Sequence, residues 1–144
     1  ARQIEGITCH SGAEQLPEML PHCNYVVCAL PQTQATTGLI DKAFLAQMPK
    51  GSRLINVGRG SHMVEEDLLD ALETGQLAGA FLDVFAQEPL PADHPFWTHP
   101  QIVVTPHMAG ELLPSTAVLS IAQGIRDHEA GRALSHVYDK DRGY

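Results

Sequence analysis

Residues 52–84 read SRLINVGRGSHMVEEDLLDALETGQLAGAFLDV, and their pattern decides the fold. Leu54-Ile55-Asn56-Val57 is a short apolar run closed by Gly58-Arg59-Gly60. Such a run reads as a buried strand of a parallel sheet. From Val64 to Glu73 the period becomes helical. Leu68, Leu69 and Leu72 form the apolar stripe, and Glu65, Glu66 and Asp67 fill the first turn, where acidic groups favour the helix dipole. Gly75 caps this helix, and Gly79 to Val84 returns to a strand. Strand, helix and strand in succession make a βαβ unit.

The same alternation extends outward in both directions. Toward the N-terminus, Asn24 to Leu30 is an apolar strand ended by Pro31, and Asp41 caps a helix from Lys42 to Met48. Gly12 to Leu20 reads as a short helix, and Ile7-Thr8-Cys9 as a short strand. Toward the C-terminus, Gln101 to Thr105 is a strand, Leu113 to about Ala130 is a helix with Ala117, Ile121 and Ile125 on one face, and the tail from Arg132 is polar. The crossing from Glu88 to Pro100 carries no helical pattern. Gly60-Ser61-His62-Met63 has the look of an expression-tag scar, but the unbroken pattern on both sides marks it as native sequence. The expected fold class is α/β, a doubly wound parallel sheet of Rossmann-like type.

Composition excludes several functions. The 144 residues carry 9 Lys+Arg against 17 Asp+Glu, net −8, with no basic cluster, which disfavours nucleic acid and anionic membranes as partners. No apolar stretch approaches the ~20 residues of a membrane span, and no signal peptide is evident, so a cytoplasmic location is expected. Cys9, Cys23 and Cys28 are odd in number without CxxC spacing and are expected to be buried free thiols. The eight histidines show neither HExxH nor HxH, so no metal site is expected.

Three residues follow three of these strands: Arg59 in LINVGRG, Glu88 in LDVFAQEPLP and His107 in VVTPHMAG. Ligands of open parallel sheets bind outside the carboxyl ends of the strands, so the three converge on one rim. A guanidinium, a carboxylate and an imidazole suit reduction of a carbonyl beside a carboxylate. The Arg forks the anion, the His gives a proton, and the Glu orients the His.

With these motifs and their spacings, the chain resembles the D-isomer-specific 2-hydroxyacid dehydrogenases over nearly all its length. Residues 29–91 resemble the second half of that family's dinucleotide-binding domain, and TPHMAG its catalytic histidine motif. The segments EPLPADHPFWTHP and DKDRGY are most similar to its glyoxylate/hydroxypyruvate reductase branch. The resemblance implies that His107 is the general acid of reduction, that Glu88 holds its imidazole and favours the protonated form, and that Arg59 binds the substrate carboxylate and keto oxygen. It further implies that Asp83 accepts from the nicotinamide carboxamide and that Leu30, Pro31, Val57 and Gly58 form the cofactor wall, which Arg59 and His107 also touch. The loop from Thr33 to Thr37 is expected near the phosphates or adenosine.

In that family a GxGxxG loop cradles the pyrophosphate, and no such loop is present here. The chain is therefore expected to be a C-terminal portion of a longer enzyme, inactive alone. Residues 1–112 would belong to the dinucleotide-binding domain and 113–144 would return to the substrate domain. Arg2 lies where a 2′-phosphate partner is expected, which favours NADP over NAD. The implied partner is a small 2-keto acid, and the implied assembly of the complete enzyme is a homodimer. A dinucleotide-sensing, corepressor-like binding module of the same fold is the alternative. Formate dehydrogenases of this family carry Gln where Glu88 stands.

Overall fold

A computed structural model describes residues 4–110, 113–135 and 137–140. Four strands, β1 (Tyr25–Cys28), β2 (Ser52–Asn56), β3 (Leu77–Leu82) and β4 (Ile102–Val104), pair in sequence order, every pair parallel. The register aligns Val26, Leu54, Ala80 and Ile102 in one row and Cys28, Asn56, Leu82 and Val104 in another. Side chains alternate across a strand, so both rows share a face. That face packs in one core with α2 (Lys42–Gln47) and α3 (Glu65–Glu73), which contribute Phe44, Leu45, Leu68, Ala71 and Leu72, and with Ile40 just before α2. Fully burying one Leu such as Leu54 or Leu68 contributes roughly 1.5–3 kcal/mol.

Local chemistry explains the helix limits. The Asp41 carboxylate accepts the Phe44 N–H at 2.8 Å and starts α2. Gly75, with φ 70, lies just past the end of α3 in the left-handed conformation that glycine adopts without penalty.

Several expectations need correction. No strand forms at Ile7-Thr8-Cys9; a turn closed by a bridge between Ile4 and Ile7 stands there, with Ile7 exposed. The helix expected from Gly12 to Leu20 is a single α-turn, α1 (Leu16–Met19), between two 3-10 turns, because Pro17 and Pro21 cannot donate to a continuous ladder. The crossing between Glu88 and Pro100 contains a 3-10 turn, Pro95–Trp97, that buries Phe96. Of the three free thiols only Cys28 is buried; Cys9 and Cys23 are half-exposed.

The opposite face of the sheet is open. Tyr25, Val27, Phe81 and Val103 point there and are exposed, and the Arg53 guanidinium lies 5.7 Å from the Tyr25 ring centroid. Among the described residues, helices bury only one face of the expected doubly wound sheet. The final helix, α4 (Pro114–Glu129), buries none of its residues, so its expected apolar face, including Ile121 and Ile125, is exposed. No helix among the described residues is long and apolar enough to cross a membrane.

Candidate active site

The site begins where β2 ends. Asn56 is fully buried and holds the next turn from both ends. Its Oδ1 accepts the Gly58 N–H and its Nδ2 donates to the Arg59 carbonyl, both at 3.1 Å. Gly60 is required by space, because a Cβ there would lie 1.8 Å from the Phe85 carbonyl carbon. Arg59 is thus presented on a loop clasped against the chain that follows β3. Its guanidinium is exposed and donates to the Gly58 carbonyl at 2.6 Å.

The second arm follows β4. His107 has φ 51, a left-handed conformation that costs a non-glycine residue energy and persists only where neighbours over-determine it. Asp83, buried beyond the end of β3, supplies that constraint. Its Oδ1 accepts from the Thr105 hydroxyl at 2.5 Å and the Met108 N–H at 2.9 Å, and its Oδ2 from the Ala109 N–H at 2.8 Å. Burial pushes the Asp83 carboxyl up, but these three hydrogen bonds, with the charge of His107, outweigh it and hold the group below its ordinary range.

Glu88 completes the arm. Its Oε2 accepts from His107 Nδ1 at 2.7 Å and its Oε1 from the Phe85 N–H at 2.9 Å. The hydrogen bond from His107 is the main cause that lowers the Glu88 carboxyl, the Phe85 amide adds to it, and partial burial opposes both. The charges of His107 and Arg59 act in the same direction as the hydrogen bonds. With Nδ1 engaged as donor, Nε2 is the ring nitrogen left to meet a ligand.

Arg59 and His107 line one cavity of about 530 Å³ together with Val57, Met108 and Gly110. A second hollow of about 460 Å³, bordered by Leu90, Trp97 and Pro106, lies on the Glu88 side of the same imidazole. The structure therefore gathers Arg59, Glu88, His107, Val57 and Gly58 at one rim. Leu30 and Pro31 stand one strand over, both exposed; a Cβ on Gly58 would lie 3.1 Å from the Leu30 carbonyl oxygen. Thr33 and Thr36 close their loop through mutual hydrogen bonds, and the Thr36 hydroxyl donates to the Pro31 carbonyl at 2.8 Å. Asp83 spends three of its acceptor positions on the 105–109 loop, which leaves a single lone pair on Oδ2 for anything else. Arg2 lies outside the described residues. No group of three or more His, Cys, Asp or Glu among the described residues is arranged to hold a metal ion.

Sequence reasoning passed over His62. The side chain is fully buried, with Nδ1 accepting the Arg59 N–H at 3.1 Å and Nε2 3.3 Å from the Pro31 carbonyl. Reading Gly60-Ser61-His62-Met63 as native sequence gave His62 no role, since nothing in the local pattern marks its partners. Thr105, which bonds Asp83, was likewise read only as the end of a strand.

Comparison with known proteins agrees with this fold. Residues 3–109 match the family described as D-isomer specific 2-hydroxyacid dehydrogenase, NAD binding domain. The chain belongs to the D-isomer-specific 2-hydroxyacid dehydrogenases. Among curated relatives of this dehydrogenase chain, the glyoxylate/hydroxypyruvate reductase A of Serratia proteamaculans is 46% identical over 143 residues, which cover 99% of this chain and 46% of that protein. The protein of the same name from Yersinia enterocolitica is 41% identical over the same shares. The crystal structure of a D-isomer specific 2-hydroxyacid dehydrogenase from Xanthobacter autotrophicus, in complex with NADPH and MES, superposes with a TM-score of 0.94 at 42% identity, covering 100% of this chain and 60% of that one. The NADPH-dependent glyoxylate/hydroxypyruvate reductase of Sinorhizobium meliloti, in complex with NADP and sulfate, gives 0.92 at 36% identity over 100% and 47%. The dehydrogenase chain thus spans about half the length of the curated relatives it matches.

Proposed function

We propose that a full-length polypeptide carrying this chain reduces small 2-keto acids such as glyoxylate and hydroxypyruvate to 2-hydroxy acids, with NADPH as the favoured cofactor and NADH as the alternative. The observation that carries this reading is the 2.7 Å contact between Glu88 and His107, on an imidazole that shares a cavity with Arg59. Relatives named for this reaction, and structures described with NADPH or NADP, support it. The cavity chemistry fits a nicotinamide beside a small anion. Val57 and Met108 offer apolar surface and Arg59 and His107 offer donors, within the ~300–1,000 Å³ usual for small-molecule sites.

When bound, the dinucleotide supplies a hydride. The chain's own residues do the rest. Arg59 receives the substrate carboxylate and keto oxygen in a planar fork, which fixes the carbonyl face. His107 Nε2 gives its proton to the carbonyl oxygen as that oxygen gains charge, and a hydroxyl forms. Glu88 keeps the ring oriented and stabilises the positive charge before transfer. Because the His107 side chain is partly exposed, it recovers its proton from solvent. Asp83 acts through the loop that bears His107, and its remaining lone pair is the one available to a carboxamide. Val57, Gly58, Leu30 and Pro31 border the cofactor in this reading, Arg2 meets the 2′-phosphate, and residues 113–144 return to the substrate domain. The complete enzyme is a cytoplasmic homodimer.

The test is steady-state reduction of glyoxylate and hydroxypyruvate by the purified full-length protein, followed by the loss of NADPH absorbance. Turnover of either acid is expected. Absence of turnover with both acids and both nicotinamide cofactors would sink the reading.

A further inference from the structure

The imidazole of His62 joins two loops that the reaction must hold in register. It sits in the 3-10 turn Gly60–His62, fully buried, directly after Arg59. The Arg59 amide can only donate, so the ring nitrogen facing it, Nδ1 at 3.1 Å, carries a lone pair. The ring proton then belongs on Nε2, which faces the Pro31 carbonyl at 3.3 Å. The same Pro31 carbonyl accepts from the Thr36 hydroxyl, so both of its lone pairs are engaged. Cys28 at the end of β1 lies beside the ring, Sγ to Nδ1 3.4 Å. Burial pushes its thiol up, against the Leu30 amide, so it stays a neutral S–H beside the Nδ1 lone pair that the Arg59 amide occupies. Gly58 leaves the space the ring needs, since a Cβ there would lie 2.9 Å from Nδ1.

These contacts run in one line from the end of β1, through the ring, to the end of β2. Pro31 stands on the side proposed to wall the cofactor, and Arg59 is proposed to hold the substrate carboxylate. We infer that His62 is a positioning residue, an imidazole protonated on Nε2 that spaces the substrate-binding arginine from the cofactor wall by holding Arg59 N–H and the Pro31 carbonyl at once. The inference rests on the proposed reductase activity. Its physical basis is the sensitivity of bound-state chemistry to placement, in which a displacement of ~1 Å remote from the reacting atoms can cost about 10²-fold in rate.

Two substitutions separate the two arms. His62→Asn places an amide oxygen where Nδ1 accepts from Arg59 and gives up the link to Pro31. His62→Gln extends an amide toward Pro31 and gives up the acceptor for Arg59. In the full-length enzyme, His62→Gln should raise KM for glyoxylate on the order of 10-fold and lower kcat, with KM for NADPH nearly unchanged. His62→Asn should show the reverse split, with KM for NADPH raised and KM for glyoxylate nearly unchanged. Equal changes in both constants for both variants would mark His62 as a packing residue and overturn the inference. The unsubstituted enzyme gives a check that does not depend on how the variants fold. Nitrogen-15 NMR of labelled histidines should show the buried ring with its proton on Nε2 and a bare Nδ1. A proton on Nδ1 would overturn the inference as well. If the unsubstituted enzyme reduces neither acid, the reductase reading fails, and this inference with it. If it is active and the split is missing, only this inference fails.

Discussion

At the end of β2 the backbone around Arg59 is pinned by Asn56 and His62, while among the described residues the guanidinium meets only the Gly58 carbonyl. At the end of β4 the functional group itself is held. Glu88 grips the His107 ring at Nδ1, and Asp83 grips the amides of Met108 and Ala109 that follow it. The two loops therefore prepare for different tasks. A proton donor acts only when its nitrogen is already in line with the developing oxyanion, so its orientation must be set before substrate arrives. An anion anchor can be completed by the substrate, because a carboxylate itself orders a guanidinium through two parallel hydrogen bonds. Strain is spent where orientation matters, at the left-handed backbone of His107, and is absent at the extended backbone of Arg59.

The largest expected effect comes from removing the prepared group. His107→Ala in the full-length enzyme should lower kcat by on the order of 10²–10⁴-fold, with KM for the keto acid changed far less. Retained kcat would place the proton donor elsewhere. Arg59→Lys attacks the adaptable side. Lysine keeps the charge but not the fork, so kcat/KM for glyoxylate should drop about 10–100-fold, with much of the loss in KM. If Lys serves as well as Arg in steady-state assays, the anchor needs charge alone and the contrast between the loops collapses.

The difference between the loops also explains what was legible in the sequence. Periodicity and the runs YVVCAL, LINV, AFLDV and IVVT placed all four parallel strands, and the last three of them the rim, because runs of this composition suit buried strands. Arg59, Glu88 and His107 were visible because charged groups directly after such strands have few structural uses. The part that was not legible is the support. Asp83 makes three hydrogen bonds to residues 105–109, and His62 links positions 31 and 59; neither pairing leaves a local pattern, since the partners are distant in sequence and, apart from the Thr105 hydroxyl, are ordinary backbone groups. Near the N-terminus Gly12 to Leu20 reads as one helix, and two prolines override it.

Asp83→Asn tests whether the strained loop depends on the carboxylate. The amide keeps one acceptor and turns its NH₂ toward backbone N–H groups or the Thr105 hydroxyl. At least one buried donor then loses its partner, and stability of the full-length enzyme should fall by about 1–3 kcal/mol in urea unfolding. The loss of kcat should exceed the loss of cofactor affinity, since the displaced element carries His107. An Asn variant as stable as the parent, with unchanged kcat, would show that the backbone at His107 is held by other contacts.

The smallest effect concerns pH and Glu88. Its carboxyl is held below the ordinary range, first by the hydrogen bond from His107 and then by the Phe85 amide. In the unfolded chain a Glu titrates near ~4.3. A depressed folded value means that the unfolded state binds the proton more readily, so the stabilising contribution is complete above the unfolded value. It declines as pH falls below that value and is gone once pH has passed through the folded one. Both side chains of the pair are more than a third exposed, so solvent screening keeps the contribution small. Glu88→Gln removes the titrating group and should flatten this portion of the acid limb. Denaturant unfolding of parent and variant, repeated from neutral pH down to about pH 3, should give curves that lie apart at neutral pH and converge in acid. Curves separated by a constant amount at every pH would show that Glu88 gains nothing from its ionised form and that the His107 ring is oriented by shape alone.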